Sequence, residues 1–362
     1  MKRLFATLGL LMSTVSVTAA GSVIVPRALA VLQLRQAADD PVALTELRLR
    51  DAVTREAVGR EIDAAIAAED DELAESFIAL AEAHGLPPDP AWRANIEALR
   101  QTQTRRALRD LGQGFLSGST DSMAGMAGGF AADMIGYGDM RDLYQEGSKL
   151  ALGQAYDEVV LGMAAVGLAV TAATVGSFGG TAPARGGLTA LKTAKKAGRL
   201  SKPLVTTLSA TVREVVDEDA VKGAVSAARR LDLDGTKLAA VAAVRRGAVT
   251  KLRSVADDAA TLFARTGSRG TLQALSIAEN ADDVRRASRL ATAFGPKTRA
   301  ALKLLGRGAI VLGTTFAALL SWIWAGIAWA FAAVLLARKI GVAIGHLIFS
   351  QWSGPGKALH GS

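Results

Sequence analysis

No cysteine occurs among the 362 residues, which excludes a disulfide framework, a thiolate zinc site and a cysteine nucleophile. The three histidines, His84, His346 and His360, are too scattered for a multi-histidine metal centre within one chain. Aromatic residues make up only 5%, although half of the chain is hydrophobic and its mean hydropathy is +0.26. A soluble enzyme of this length normally sits near or below zero, so part of this apolar mass points to lipid. No strand-type alternation of useful length is present, and the expected elements are helices. Arginine outnumbers lysine 29 to 13 and alanine is abundant, the pattern of a GC-rich bacterial genome.

The net charge of +8 conceals an asymmetry. Residues 26–158 carry 13 Lys/Arg and 23 Asp/Glu, whereas 185–307 carry 24 and 11. Between them, 159–184 has no charge. Two regions of opposite sign around an apolar divider read as two domains.

Three uncharged stretches reach the roughly 20 residues that a membrane helix needs. The first, 4–25, follows Lys2 and Arg3. It reads as a signal anchor, or as a cleaved signal peptide ending at Thr18-Ala19-Ala20. The second, 159–184, is rich in alanine and glycine. Ala165, Ala169 and Ala173 form a small-residue stripe suited to close helix packing. The alternative for this stretch is a helix buried in a soluble domain. The third, 308–337, contains Phe316, Trp322, Trp324, Trp329 and Phe331 and is expected to be one tilted span, with 338–362 an interfacial tail.

Behind the middle stretch, Lys192, Lys195, Lys196 and Arg199 fall at i, i+3, i+4 and i+7 on one helical face. Such a face reads as a topological retention signal; the alternatives are a plain solvated face and contact with anionic lipid headgroups, each cation then contributing about 1 kcal/mol near the surface. Nucleic-acid binding has no support, because no aromatics interleave with these cations. Counting basic flanks places the N-terminus inside, the acidic domain outside, the basic domain inside and the C-terminus outside. The runner-up topology has a cleaved signal, one exported domain over 26–307 and a C-terminal anchor.

The expected fold class is therefore an all-α membrane protein: candidate transmembrane helices 4–25, 159–184 and 308–337, with two small helical extramembrane domains. The acidic domain spans 26–111. In it, Asp40-Pro41 and Asp89-Pro90 mark helix starts, and Gly85 marks a stop. Val58, Ile62, Ala65 and Ile66, then Leu73, Phe77, Leu80 and Ala81, then Trp92, Ile96 and Leu99 give three apolar stripes, an antiparallel helical pair plus one helix. The run Glu69-Asp70-Asp71-Glu72 suits the start of a helix; loose divalent-cation binding is the alternative. Residues 112–158 form a glycine-rich linker or membrane-interfacial segment, with eight glycines between Gly112 and Gly138. The basic domain, 185–307, has a core stripe at Val249, Leu252, Ala256, Ala259 and Phe263, a cap at Asn280 with Asp283, and a stop at Gly295-Pro296.

No catalytic constellation emerges. Gly136-Tyr137-Gly138 lacks the third glycine of a dinucleotide fingerprint, position 141 being Arg141. Gly295-Pro296-Lys297-Thr298 lacks the spacing of a phosphate loop. Asp232-Leu233-Asp234-Gly235 lacks the terminal glutamate of a calcium loop. No catalytic residue, cofactor or metal is expected.

Gly138-Asp139-Met140-Arg141-Asp142, the apolar helix after it and Lys195-Lys196-Ala197-Gly198-Arg199 together resemble the hairpin preceding toxin modules in polymorphic bacterial toxins. The resemblance covers 138–199. No recognisable toxin module follows, and no residue role is carried over. The whole chain also resembles conserved hypothetical membrane proteins of GC-rich Gram-negative bacteria, a likeness that implies no function. The functional expectation is a non-enzymatic inner-membrane scaffold that meets anionic lipid and other envelope proteins. The alternative is a toxin-like protein that perturbs membranes through its apolar C-terminal region.

Overall fold

The computed structural model describes residues 2–117, 137–176, 182–215, 217–229, 235, 239, 242, 249–311 and 316–352. Among them every regular element is helical and no strand occurs. The chain divides into a terminal unit, Met1–Asp39 with Leu312–Ser362, and a central unit, Asp40–Val311. Residues 118–136 of the expected glycine-rich linker 112–158 lie outside the described residues, whereas 112–117 and 137–151 are helical.

The central unit begins with α2 (Pro41–Ala52), α3 (Arg55–Ala67), α4 (Asp71–Ala83) and α5 (Pro90–Ser117). Local chemistry sets their ends. Asp40 accepts from the Val42 amide at 2.9 Å, with Pro41 in the first turn. Asp70 accepts from the Leu73 amide at 3.1 Å, and Gly85 takes the left-handed conformation (φ +70°) after α4. The expected stripes are core: Val58, Ile62, Phe77, Leu80 and Ile96 are all buried, with α3 and α4 packed together and α5 on both.

Next come α6 (Tyr137–Ala151), α7 (Glu158–Gly176), α8 (Ala182–Lys196), α9 (Lys202–Val215) and α10 (Glu218–Arg229). The unit closes with α11 (Val249–Ile277), α12 (Ala281–Phe294) and α13 (Thr298–Leu305). Helix α11 breaks at Gly267, whose φ of +67° only glycine adopts at little cost. Asn280 and Asp283 cap α12 reciprocally: the Asp283 amide donates to Asn280, and the Glu279 amide donates to Asp283, each at 2.9 Å.

The structure overturns the expected middle span. Helix α7 lies inside the central unit, packed by α6, α8 and α9, with Val159, Leu161, Met163, Ala164, Val166 and Leu168 buried. Its small residues explain how it fits. A Cβ at Gly162 would fall 2.0 Å from Val212 Cγ1, so glycine lets α9 approach. Over 159–168 protein surrounds α7; the side chains of 171–176 and all of 177–181 lie outside the described residues.

The expected division into acidic and basic domains on opposite sides of a membrane falls with it. Helices α2 and α4 of the acidic stretch pack on α12 and α13 of the basic stretch. Asp70 receives both ends of the Arg299 guanidinium, at 2.8 and 2.6 Å, while Glu72 and Arg269 join the same cluster. Thus the acidic run at 69–72 is an arginine-clamped helix start. The two stretches belong to one folded unit.

The terminal unit contains α1 (Lys2–Gln36) and α14 (Phe316–Trp352). Two apolar stretches within them are long enough to cross a membrane, Gly9–Gln36 and Ser321–Gly345. Both ends of the expected C-terminal span are corrected. Ala309 and Ile310 are buried in the central core, and α14 continues as one helix through Arg338 and Lys339 to Trp352. A separate interfacial tail starting at 338 is therefore not formed; residues 353–362 lie outside the described residues.

Candidate functional sites: a buried ionic cluster and a terminal helix hairpin

The cationic face expected to meet lipid headgroups instead meets carboxylates. Helix α6 presents Asp139 and Asp142 three residues apart; helix α8 presents Lys192 and Lys196 four apart, so each pair shares a face. Lys192 Nζ lies 2.7 Å from Asp139 Oδ1 and 3.0 Å from Asp142 Oδ2. Lys196 Nζ lies 2.6 Å from Asp142 Oδ1, and Lys195 pairs with Asp157. Lys192 is 1% exposed, which removes it from any headgroup role. Lys195 and Lys196 are ion-paired, and Arg199 is exposed.

Glycine makes the cluster possible. A Cβ at Gly167 of α7 would lie 2.3 Å from an Asp139 carboxylate oxygen, so only a bare backbone lets that carboxylate sit against α7. Burial, the largest single influence on Asp142, pushes its carboxyl up. Hydrogen bonds and charge from Lys196 and Lys192 outweigh it and hold the carboxyl below the usual carboxylate range. The enclosed ammonium and its two carboxylates join α6 to α8, a structural role rather than an open site.

The stripe Ala165, Ala169 and Ala173 lies on α7. Ala165 is fully buried and Ala169 partly buried in the central core, so the expected close packing is against helices of the same chain. The side chain of Ala173 lies outside the described residues.

Helices α1 and α14 pair antiparallel. Arg27 lies 4.8 Å from the Trp322 ring, and a Cβ at Gly326 would stand 2.9 Å from Ala28 Cβ. Further along, the Trp329 indole N–H donates to the Val17 carbonyl at 2.7 Å, and a Cβ at Gly21 would collide with the same indole. Rising numbers on α1 match falling numbers on α14. Gly21 and Gly326 thus admit close approach, as membrane helix pairs require.

The polar groups of this hairpin suit an apolar solvent. Thr14, Thr18 and Ser22 donate to Leu10, Thr14 and Ala19 carbonyls, each at 2.8 Å, so these three hydroxyls are satisfied within their own helix. Large apolar side chains face outward: Met12, Trp324, Phe331 and Val334 are each at least 65% exposed. Sequence reasoning found both helices and missed their pairing; Gly21 and Gly326 within the apolar runs were its only visible signal.

Among the described residues no group of three or more His, Asp or Glu is placed to hold a metal ion. A groove of about 510 Å³ between α4 and α5 carries charges already paired with one another, Arg93 with Glu82 and Arg100 with Asp71 and Glu75. Compared with protein-family models, curated proteins and solved structures, the chain matches none.

Proposed function

We propose that this chain is a bacterial inner-membrane protein whose terminal hairpin, α1 with α14, anchors one helical domain, Asp40–Val311, for non-enzymatic interaction with other envelope components. The observation that carries this reading is the antiparallel register between two exposed apolar helices. Each is long enough to span, and the Thr14, Thr18 and Ser22 hydroxyls of α1 are satisfied internally. An antiparallel pair brings residues 36 and 316 to one end and both chain termini to the other. The termini end of the hairpin carries Lys2, Arg3, Arg338 and Lys339 against Arg27 and Arg35 toward the other, an excess that under the positive-inside rule favours termini in the cytoplasm and the helical domain outside.

Reporter fusions near residues 120 and 250 test this. Both are expected to report the periplasm, and fusions to the C-terminus the cytoplasm. Opposite compartments for 120 and 250 would refute the single-sided domain, and release of the protein by alkaline carbonate would refute the anchor. A second reading, membrane perturbation by a toxin-like protein, draws support from the apolar exposure of Ser321–Gly345, whose charged residues are Arg338 and Lys339 near its end. Leakage of dye from anionic vesicles at micromolar protein, lost on deleting 316–352, would favour it over the scaffold.

A further inference from the structure

The two cations near the far end of α14 have no Asp or Glu side chain near them in their own unit. Residues 1–38 and 312–362 contain no Asp or Glu, while they contain seven Lys or Arg; Asp39 is the sole acid of the terminal unit. Arg338 lies 22 residues beyond the start of α14, about 33 Å along the helix from Phe316 and so from the end where Asp39 leaves the hairpin. No Asp or Glu side chain of this unit is thus available to Arg338 and Lys339.

The hairpin places a groove beside them. A cleft of about 860 Å³ runs between α1 and α14, lined by Leu10, Ser13, Val17 and Leu335, with Arg338 and Lys339 as its charged residues. Apolar walls ending at two adjacent cations match one ligand chemistry: a hydrocarbon chain attached to an anionic headgroup.

Depth supports the same occupant. Arg27 stacks on Trp322 at one border, and Arg338 follows 16 residues later, about 24 Å along the helix. Between these cations the uncharged band is shorter than a hydrocarbon core of about 30 Å. With Trp322 at one interface, Arg338 and Lys339 stand slightly inside the other, where their long stems reach outward and draw a phosphate inward.

We infer that the groove between α1 and α14 binds one acidic phospholipid, its phosphate on Arg338 and Lys339 and an acyl chain along Leu10, Ser13, Val17 and Leu335. This rests on the membrane-hairpin reading above. It moves the anionic-lipid contact from the buried α8 face to the terminal hairpin.

The test is native mass spectrometry of the full chain in detergent, titrated with phosphatidylglycerol or phosphatidylcholine of identical acyl chains. Retention of phosphatidylglycerol is expected to exceed that of phosphatidylcholine by about tenfold, each cation contributing a comparable share. The double variant Arg338→Gln, Lys339→Gln should erase the preference. Ser13→Phe should fill the groove and weaken retention with both charges intact. Equal retention of the two lipids, an unchanged preference in the double variant, or displacement by millimolar inorganic phosphate would overturn the proposal. Alkaline extraction of the same proteins separates the two readings: wild type that stays in the membrane without lipid preference refutes only the site, and wild type that is extracted refutes the hairpin itself.

Discussion

The Trp329 indole nitrogen donates to the main-chain carbonyl of Val17, a 2.7 Å hydrogen bond between residues 312 positions apart. In hydrocarbon, an indole N–H without a partner costs several kcal/mol, so this bond fixes which faces of α1 and α14 meet.

Because the chain has no cysteine, its register can be read by engineered pairs. Ala28→Cys with Gly326→Cys should form a disulfide on mild oxidation, the Cβ positions being in contact. After trypsin treatment the two helix peptides should migrate together until reductant is added. Ala28→Cys with Val342→Cys is the control, since residue 342 lies at the opposite end of the groove, near Gly9 and Leu10. Equal cross-linking of both pairs would refute the antiparallel register.

Lys192→Met keeps most of the side-chain volume and leaves Asp139 and Asp142 buried without their shared ammonium. The expected loss is about 3–5 kcal/mol of stability, the usual cost of breaking a buried pair from one side. Chemical unfolding followed by circular dichroism measures it. The lipid-surface reading of this face predicts no such loss.

Acid should weaken the central unit through Asp142 and Asp70. For Asp70, burial again pushes upward most strongly, while Arg299, the Leu73 amide and Arg269 together hold the carboxyl below its ordinary value. A carboxyl lowered in the fold stabilises above its unfolded pKa, about 3.9, and loses that contribution as pH falls through the folded value. Thermal unfolding between pH 7 and pH 2 should show the decline below about pH 4, flattened in Asp142→Asn. Asp258 runs the other way: burial raises its carboxyl despite the Ser288 hydrogen bond and Arg285. Its ionisation opposes folding as pH rises above the unfolded value, so Asp258→Asn should be neutral or stabilising at pH 7.

Adjacent glycines in α8 should respond oppositely to a methyl group. A Cβ at Gly187 would lie 1.6 Å from the Ala256 carbonyl oxygen, backbone that cannot swing aside, so α8 and α11 must separate. Gly187→Ala is expected to cost about 1–3 kcal/mol or more. At Gly186 nothing lies within 4 Å, and Gly186→Ala should stabilise by about 0.5–1 kcal/mol through helix propensity. Melting temperatures of the two variants must move in opposite directions.

Much of the helical framework was legible residue by residue. Asp40, Asn280 with Asp283, Gly85 and Gly295 act at helix ends where their side-chain or backbone chemistry predicts, and His84 bonds the Leu80 carbonyl with its Nδ1 at 2.9 Å at the end of α4. Caps and stops depend on neighbours within a turn, so short sequence windows hold all the information. The ionic cluster was less accessible. Its two halves, Asp139 with Asp142 and Lys192 with Lys196, show matching helical spacing, but 53 residues separate Asp139 from Lys192. A one-sided row of cations satisfies an anionic leaflet and an acidic helix equally well.

From the amino-acid order alone follow the all-helical character, most helix ends, the core stripes and the two apolar terminal runs. Tertiary structure alone decided that α7 is buried in protein over 159–168 while α1 and α14 expose large apolar side chains, and that acidic and basic stretches close on each other through Asp70 and Arg299. Hydropathy and charge belong to a segment, whereas its solvent and counter-ions come from residues far away in the chain. An uncharged helix therefore announces that it avoids water; only its packed neighbours determine what replaces it.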